Sequence, residues 1–245
     1  MIRPLAVLAL STLALSASAQ DLTITFKASD GTASTSYFTK DKVRTASGRS
    51  DAIMDFASGT IVNIDHQKKE YFEMTVTEID EVSKAASAQM EQAMAQVPPQ
   101  MREQMAKMMG GAAAEVTVTK GATRTIAGYA CQDYTIAMGA NMTQETCNST
   151  ALTPPFDPAN FIKMARISVP MIQGMDKFVA RMQEIKGIAL ATHMSMNVMG
   201  QKRETTMEAT EVKKGPVAAD AFQIPAGYKK VESPLKSMGK MGGRR

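Results

Sequence analysis

Tryptophan is absent from this chain, and histidine and cysteine occur only twice each. His66 and His193 lie far apart, and no G-x-S-x-G, H-E-x-x-H, phosphate-loop or dinucleotide fingerprint accompanies them. Hydrolysis by a Ser-His-Asp triad and a zinc-protease centre therefore have no visible machinery. Past residue 19 the sequence has no apolar run long enough to span a bilayer as a helix. Aromatic residues are scarce at 5%, so whatever core exists is built from aliphatic residues and methionine.

What is there begins with the first nineteen residues. Arg3 gives a positive start, Ala6 to Leu15 a short apolar stretch, and Ala17-Ser18-Ala19 a small-residue cleavage site before Gln20. That is the layout of a secretory signal peptide, and no cysteine follows it to take a lipid anchor. The expectation is an exported protein, periplasmic or secreted, cut near Ala19. Residues 20–232 then read as a single domain, and residues 233–245 as a flexible basic tail carrying Lys236, Lys240, Arg244 and Arg245. The net charge of +4 owes much to that tail. No basic face for nucleic acid is expected, and a membrane surface would be met through the tail.

Two cysteines in an exported chain permit one pairing, Cys131 with Cys147. They lie symmetrically about Gly139-Ala140-Asn141, so a hairpin folded there places them opposite each other on neighbouring strands. Closing such a loop stabilises the fold by about 3 kcal/mol in the chain-entropy model.

Leu22, Ile24 and Phe26 alternate with polar residues, the period of a half-buried strand. Strand-like runs follow at 34–39, 42–46, 52–56, 60–65 and 70–76, separated by Asp30-Gly31, Ser47-Gly48 and Ser58-Gly59. Further strands are expected at 115–120, 123–130, 132–138 and 143–147, then at 188–198, 204–212 and in a terminal segment at 222–231.

Two helical insertions interrupt this pattern. The first, about 78–109, carries Met90, Met94, Val97, Met101, Met105 and Met108 at helical spacing and must break at Pro98-Pro99. The second, about 157–186, opens with Asp157-Pro158 and carries Phe161, Met164, Ile167, Met171, Met175 and Phe178 on one face. The fold class is α+β. The economical arrangement curls the antiparallel sheet into an incomplete β-barrel and lays the helices over its concave face.

Three segments carry a family resemblance: Ile61 to Asp65 leading into Lys69 to Met74, Ile126 to Tyr134, and Ile224 to Val231. They resemble an uncharacterised family of exported bacterial proteins, similar in layout to the periplasmic lipoprotein carriers of the LolA-like group. The resemblance implies a half-barrel closed by helices over an apolar cavity. It brings no catalytic signature, and this chain departs from the carriers in lacking tryptophan and in its Met-rich insert. Within the shared segments Tyr71, Tyr129 and Tyr228 read as buried rings with wet hydroxyls.

Methionine is the compositional anomaly, at 21 residues. Thioethers bind copper(I), and His193-Met194-Ser195-Met196 and Met238-Gly239-Lys240-Met241 have suitable spacing. In a strand, however, Met194 and Met196 point away from His193. Methionine also fills irregular apolar space, and at helical spacing it lines a core or a cavity. Asp51, Asp55 and Asp65, like Glu78, Asp80 and Glu81, read as ordinary solvated charges.

The expected function is non-enzymatic: binding or carrying a lipid, an acyl chain, a lipidated protein or another amphiphile. The candidate cavity or lid residues are Met90, Met94, Met101, Met105, Met164, Met171, Met175 and Phe178. No cofactor and no metal site is implied. An envelope interaction protein with a filled core is the alternative, and a copper(I)-binding protein the third.

Overall fold

The computed structural model describes residues 20–98, 101, 115–139, 142–167, 175–198 and 201–234. The meander opens with β1 (Leu22–Ala28), β2 (Ala33–Phe38), β3 (Lys42–Ser47), β4 (Ser50–Asp55), β5 (Thr60–Asp65) and β6 (Glu70–Thr75). Helix α1 (Val76–Ala95) follows, then β7 (Val116–Ile126), β8 (Tyr129–Met138) and β9 (Met142–Ser149). Helices α2 (Pro158–Ile167) and α3 (Met175–Met182) precede the long β10 (Ile188–Val198) and β11 (Gln201–Lys214). A 3-10 turn at Ala219–Phe222 and a two-residue β12 (Lys229–Lys230) complete the elements of the described residues.

All the strands belong to one 12-stranded sheet, ordered β12-β6-β5-β4-β3-β2-β1-β11-β10-β9-β8-β7. Every pairing is antiparallel except β12 with β6. β12 and β7 are its two ends and do not pair with each other, so the sheet is open. Helix is the minor component.

Several boundaries differ from the sequence reading for identifiable reasons. The expected strands at 115–120 and 123–130 are one strand, β7, with a register shift between Lys120 and Thr123. Its hairpin turn falls earlier than expected, at Ala127 (φ 49°) and Gly128 (φ 83°), the positive-φ pair that a two-residue turn demands. α1 starts at Val76, not 78, because Thr75 and Glu78 form a reciprocal capping box that fixes the first turn. Asp157 caps α2 as expected, its Oδ1 accepting from the Ala159 N–H at 2.9 Å. The terminal segment is mostly not a strand.

In the half built from β3 to β6, alternate rows face opposite ways. Val43, Met54, Ile61 and Met74 stand in one cross-strand row, and Arg44, Ile53, Val62 and Glu73 in the next. The first row meets the helices: Ile79 of α1 and Met164 of α2 pack with Ile61, against Met54, Phe56, Met74 and Val76. Across the second row runs the chain that follows β11. The Gly215 N–H donates to the Asp21 carbonyl, Arg44 donates to the carbonyls of Ala221 and Gln223, and the Lys229 and Val231 N–H groups donate to Lys69 and Tyr71. This strap accompanies the burial of Ile53 and Ile64 on the face opposite the helices.

In the other half, Ile126, Cys131, Cys147, Leu190, Ala209, Leu22 and Ile24 share one core cluster. Cys131 and Cys147 form a disulfide with a Cα–Cα distance of 5.4 Å. Cys147 is in register with Asp133, so the cysteines sit diagonally and not directly opposite as expected. Beyond the disulfide, Arg124 of β7 donates to Glu208 of β11 at 3.3 Å.

Candidate functional site

Where α2 lies beside the β6–α1 junction, a pocket of about 220 Å³ opens. Its apolar wall is Phe56, Val76 and Met164; its polar rim includes Ser58, Thr77, Asn160 and Lys163. The site is assembled from local features. Ser58-Gly59 turns the chain between β4 and β5, with Gly59 at φ 64°. The Gly59 carbonyl accepts from the Val76 N–H at 2.9 Å, which ties that turn to the start of α1. Capping by Thr75 then aims Val76 and Thr77 at the pocket, while the period of α2 places Asn160, Lys163 and Met164 on its other side.

A cluster of half-buried phenylalanines adjoins the apolar wall. Phe156 lies 5.4 Å from both Phe56 and Phe161 and 6.1 Å from Phe38, centroid to centroid. Four aromatic rings that share a packing site yet keep partial exposure are a ready surface for an apolar ligand.

The expected site residues fare differently. Met164 lines the pocket and is 3% exposed. Phe178 is 3% exposed, but it sits in a separate cluster with Val116, Ile136, Met138 and Met142, flanked by Met182, Met194 and Met196. Met94 is half-buried on α1, and Met101 is 54% exposed. Neither lines the pocket. The backbones of Met90 and Met175 belong to α1 and α3, and their side chains lie outside the description; Met105 and Met171 lie outside the described residues. Sequence reasoning missed Phe56, Asn160 and Lys163, although the period of α2 was a signal for the last two once Met164 was assigned inward.

A second cluster lies on the opposite face. Asp51 is 3% exposed and receives the Arg44 guanidinium through both Nε and Nη2, the Ser47 N–H at 3.0 Å and His66 Nε2 at 2.9 Å. His66 Nδ1 lies 2.8 Å from the Tyr228 hydroxyl. With Nε2–H donated to Asp51, a neutral His66 accepts a hydrogen bond at Nδ1 from the Tyr228 hydroxyl. Burial pushes the Asp51 carboxyl up, but the hydrogen bonds from His66, Arg44 and Ser47 outweigh it and hold the carboxyl below its ordinary value. The reading of Asp51 as a solvated charge is thus corrected: it is the buried anchor of the strap. The same carboxylate, imidazole and hydroxyl sequence could relay a proton, but the pocket is lined by other residues. Its visible work is to fasten Tyr228 and the 3-10 turn to β3 and β4.

His193 faces Glu145 at 3.2 Å and Glu204 at 3.7 Å, whereas Met194 and Met196 pack toward Phe178. The His and Met side chains of this segment therefore stand on opposite faces of β10. Among the described residues no group of three His, Cys, Asp or Glu side chains is placed to hold a metal ion.

An open antiparallel sheet with a helix-edged pocket and a strapped outer face defines the structural class. The chain belongs to the family described as Domain of unknown function (DUF4412), which matches residues 17–228. Comparison with curated proteins gives no match. Among solved structures the chain is similar to PNGF-II in its C2 and P21 crystal forms, at 15% and 14% identity and TM-scores of 0.43 and 0.44. Those matches cover 91% of this chain, which spans about a third of PNGF-II, 32% and 33% respectively. An uncharacterized conserved protein from Thermus thermophilus is similar at 6% identity and a TM-score of 0.45, over 88% of this chain and 91% of that one. These likenesses are too distant to bear on function.

Proposed function

We propose that this protein is an exported, non-enzymatic carrier or binding protein for an amphiphile, a lipid or acyl chain, that works in the periplasm. The observation that carries the reading is the pocket beside the half-buried phenylalanine cluster, walled by Phe56, Val76 and Met164 and rimmed by hydroxyl, amide and ammonium groups. Its two chemistries match the two ends of an amphiphile. The volume is below the roughly 300–1,000 Å³ of a site that swallows a whole small ligand. The pocket as it stands takes one end of a chain.

The same proposal includes a half-barrel whose helices lie over the concave side. Neighbouring strands are about 4.8 Å apart, so four intervals of a flat sheet would separate β7 from β11 by about 19 Å. Their Cα atoms come within 8 Å, which supports a rolled sheet. Helix α2 touches both α1 and α3, α1 touches β6, and α3 touches β7 and β8, so the helices run from one end of the sheet toward the other.

Uptake of a fluorescent fatty acid by the mature protein tests the function. Asn160→Trp, an exposed substitution that fills the mouth, is expected to abolish uptake while leaving the circular dichroism and melting of the sheet intact. Uptake that survives this blockade contradicts the site.

The packing of Phe178 against β7 to β10 favours a second reading for that half, a filled core serving an envelope interaction protein. Under it the protein melts identically with and without added lipid.

A further inference from the structure

Resting on the carrier reading, the geometry points to an anionic head on the amphiphile, a carboxylate or phosphate, which we infer is held by Lys163. Lys163 and Asn160 stand one helical turn apart on α2, and both line the mouth of the pocket. None of the lining residues is acidic. Two carboxylates adjoin the lining residues in sequence, and both are engaged: Glu78 is turned back on the N–H and hydroxyl of Thr75 as the α1 cap, and Asp55 pairs with Lys42 and accepts from the N–H groups of Ala57 and Ser58. Lys42, Lys68, Lys84, Lys202, Lys213 and Lys230 each pair with a carboxylate, whereas among the described residues Lys163, like Lys27, Lys40 and several other lysines, forms no ion pair.

The other polar side chains that line the pocket are the Ser58 and Thr77 hydroxyls and the Asn160 amide, which can donate hydrogen bonds, and the Thr75 hydroxyl, which is already engaged with Glu78. Donors and a cation, with the neighbouring carboxylates already engaged, suit an anion, and the Lys163 charge repels a quaternary ammonium head that the Phe56 ring would otherwise attract. The apolar wall begins at Met164, adjacent to Lys163 in sequence, so a chain whose head is at Lys163 starts directly on the wall. Ser58, Thr77, Asn160 and Lys163 are all exposed, so a charge-assisted hydrogen bond there gives a preference of about two- to fivefold.

The test is displacement of a neutral fluorescent probe, N-phenyl-1-naphthylamine, from the full mature protein at neutral pH and below the micelle concentrations. Dodecanoate, dodecyl phosphate, dodecanol and dodecyltrimethylammonium share one chain and differ in the head. The expected result is binding of both anions about two- to fivefold tighter than dodecanol, with the cation weakest. Lys163→Glu should erase that preference and leave dodecanol unchanged, while Lys163→Arg keeps it. Dodecanoate alone winning over dodecyl phosphate narrows the head to a carboxylate, and the reverse to a phosphate. Dodecanol bound as tightly as the anions, or a preference that survives Lys163→Glu, overturns the inference and leaves the carrier reading standing. Binding of none of the four overturns both.

Discussion

Arg124 on β7 meets Glu208 on β11 at 3.3 Å, although β8, β9 and β10 lie between them in the sheet order. The same guanidinium donates to Asp133 through Nε at 3.0 Å. All three side chains are substantially exposed, so the contact marks geometry more than it supplies stability. A double-mutant cycle of Arg124→Ala and Glu208→Ala should give a coupling of about 0.2–1 kcal/mol in urea melts. Strict additivity would mean that the pair contributes nothing to stability.

The disulfide joins β8 to β9 across 16 residues of sequence. Reduction, or Cys131→Ser with Cys147→Ser, should lower stability by about 3 kcal/mol, read from denaturant midpoints with and without reductant. Both sulfurs lie in the core cluster, so the double serine variant should lose at least as much as reduction does. Unchanged midpoints would dismiss the bond as a stabiliser.

Asp51 contributes to the acid limb of stability. Its carboxyl is held below its unfolded value of about 3.8, so its contribution is complete above that pH and disappears as pH falls through the lower, folded value. Asp51→Asn removes the charge that Arg44 and His66 face, and should cost about 3–5 kcal/mol near neutrality. The variant should also flatten the loss of stability below about pH 4. Tyr228→Phe removes only one hydrogen bond and should cost about 1 kcal/mol, with faster hydrogen exchange at the Lys229 and Val231 amides. A neutral Asp51→Asn would show that the strap is not anchored there.

Gly187 precedes β10 with φ at 87°, and a Cβ placed on it would lie 2.2 Å from the Ser149 carbonyl oxygen. Backbone strain and that clash act together, so Gly187→Ala should lose about 2 kcal/mol or more, measured by thermal melting. Gly128, also at positive φ but with no atom within 4 Å of where its Cβ would stand, should lose less on the same change.

The strands were legible because alternation and turn residues are local signals: Leu22, Ile24 and Asp30-Gly31 need no tertiary knowledge. Asp157-Pro158 and Met164 were legible for the same reason. Asp51 was not, since its partners Arg44 and His66 come from β3 and the turn after β5, with Tyr228 of the strap joined through His66, and nothing nearby in sequence distinguishes it from Asp55 or Asp65. The aromatic side of the pocket was equally hidden. Phe38 ends a strand, Phe56 follows one, and Phe156 precedes a helix, so no period connects them; only the fold brings them within 6.1 Å of a common ring. The Met stripe misled in part, because Phe178 at the same helical spacing fills a core while Met164 faces a pocket.

Whether the protein carries an amphiphile is decided with the fewest intervening steps by native mass spectrometry of the mature protein isolated without detergent. The expected spectrum has a population heavier by one lipid or fatty-acid mass, lost in the Asn160→Trp variant. Bare protein with the disulfide intact, which also fails to acquire added dodecanoate, would refute the carrier reading.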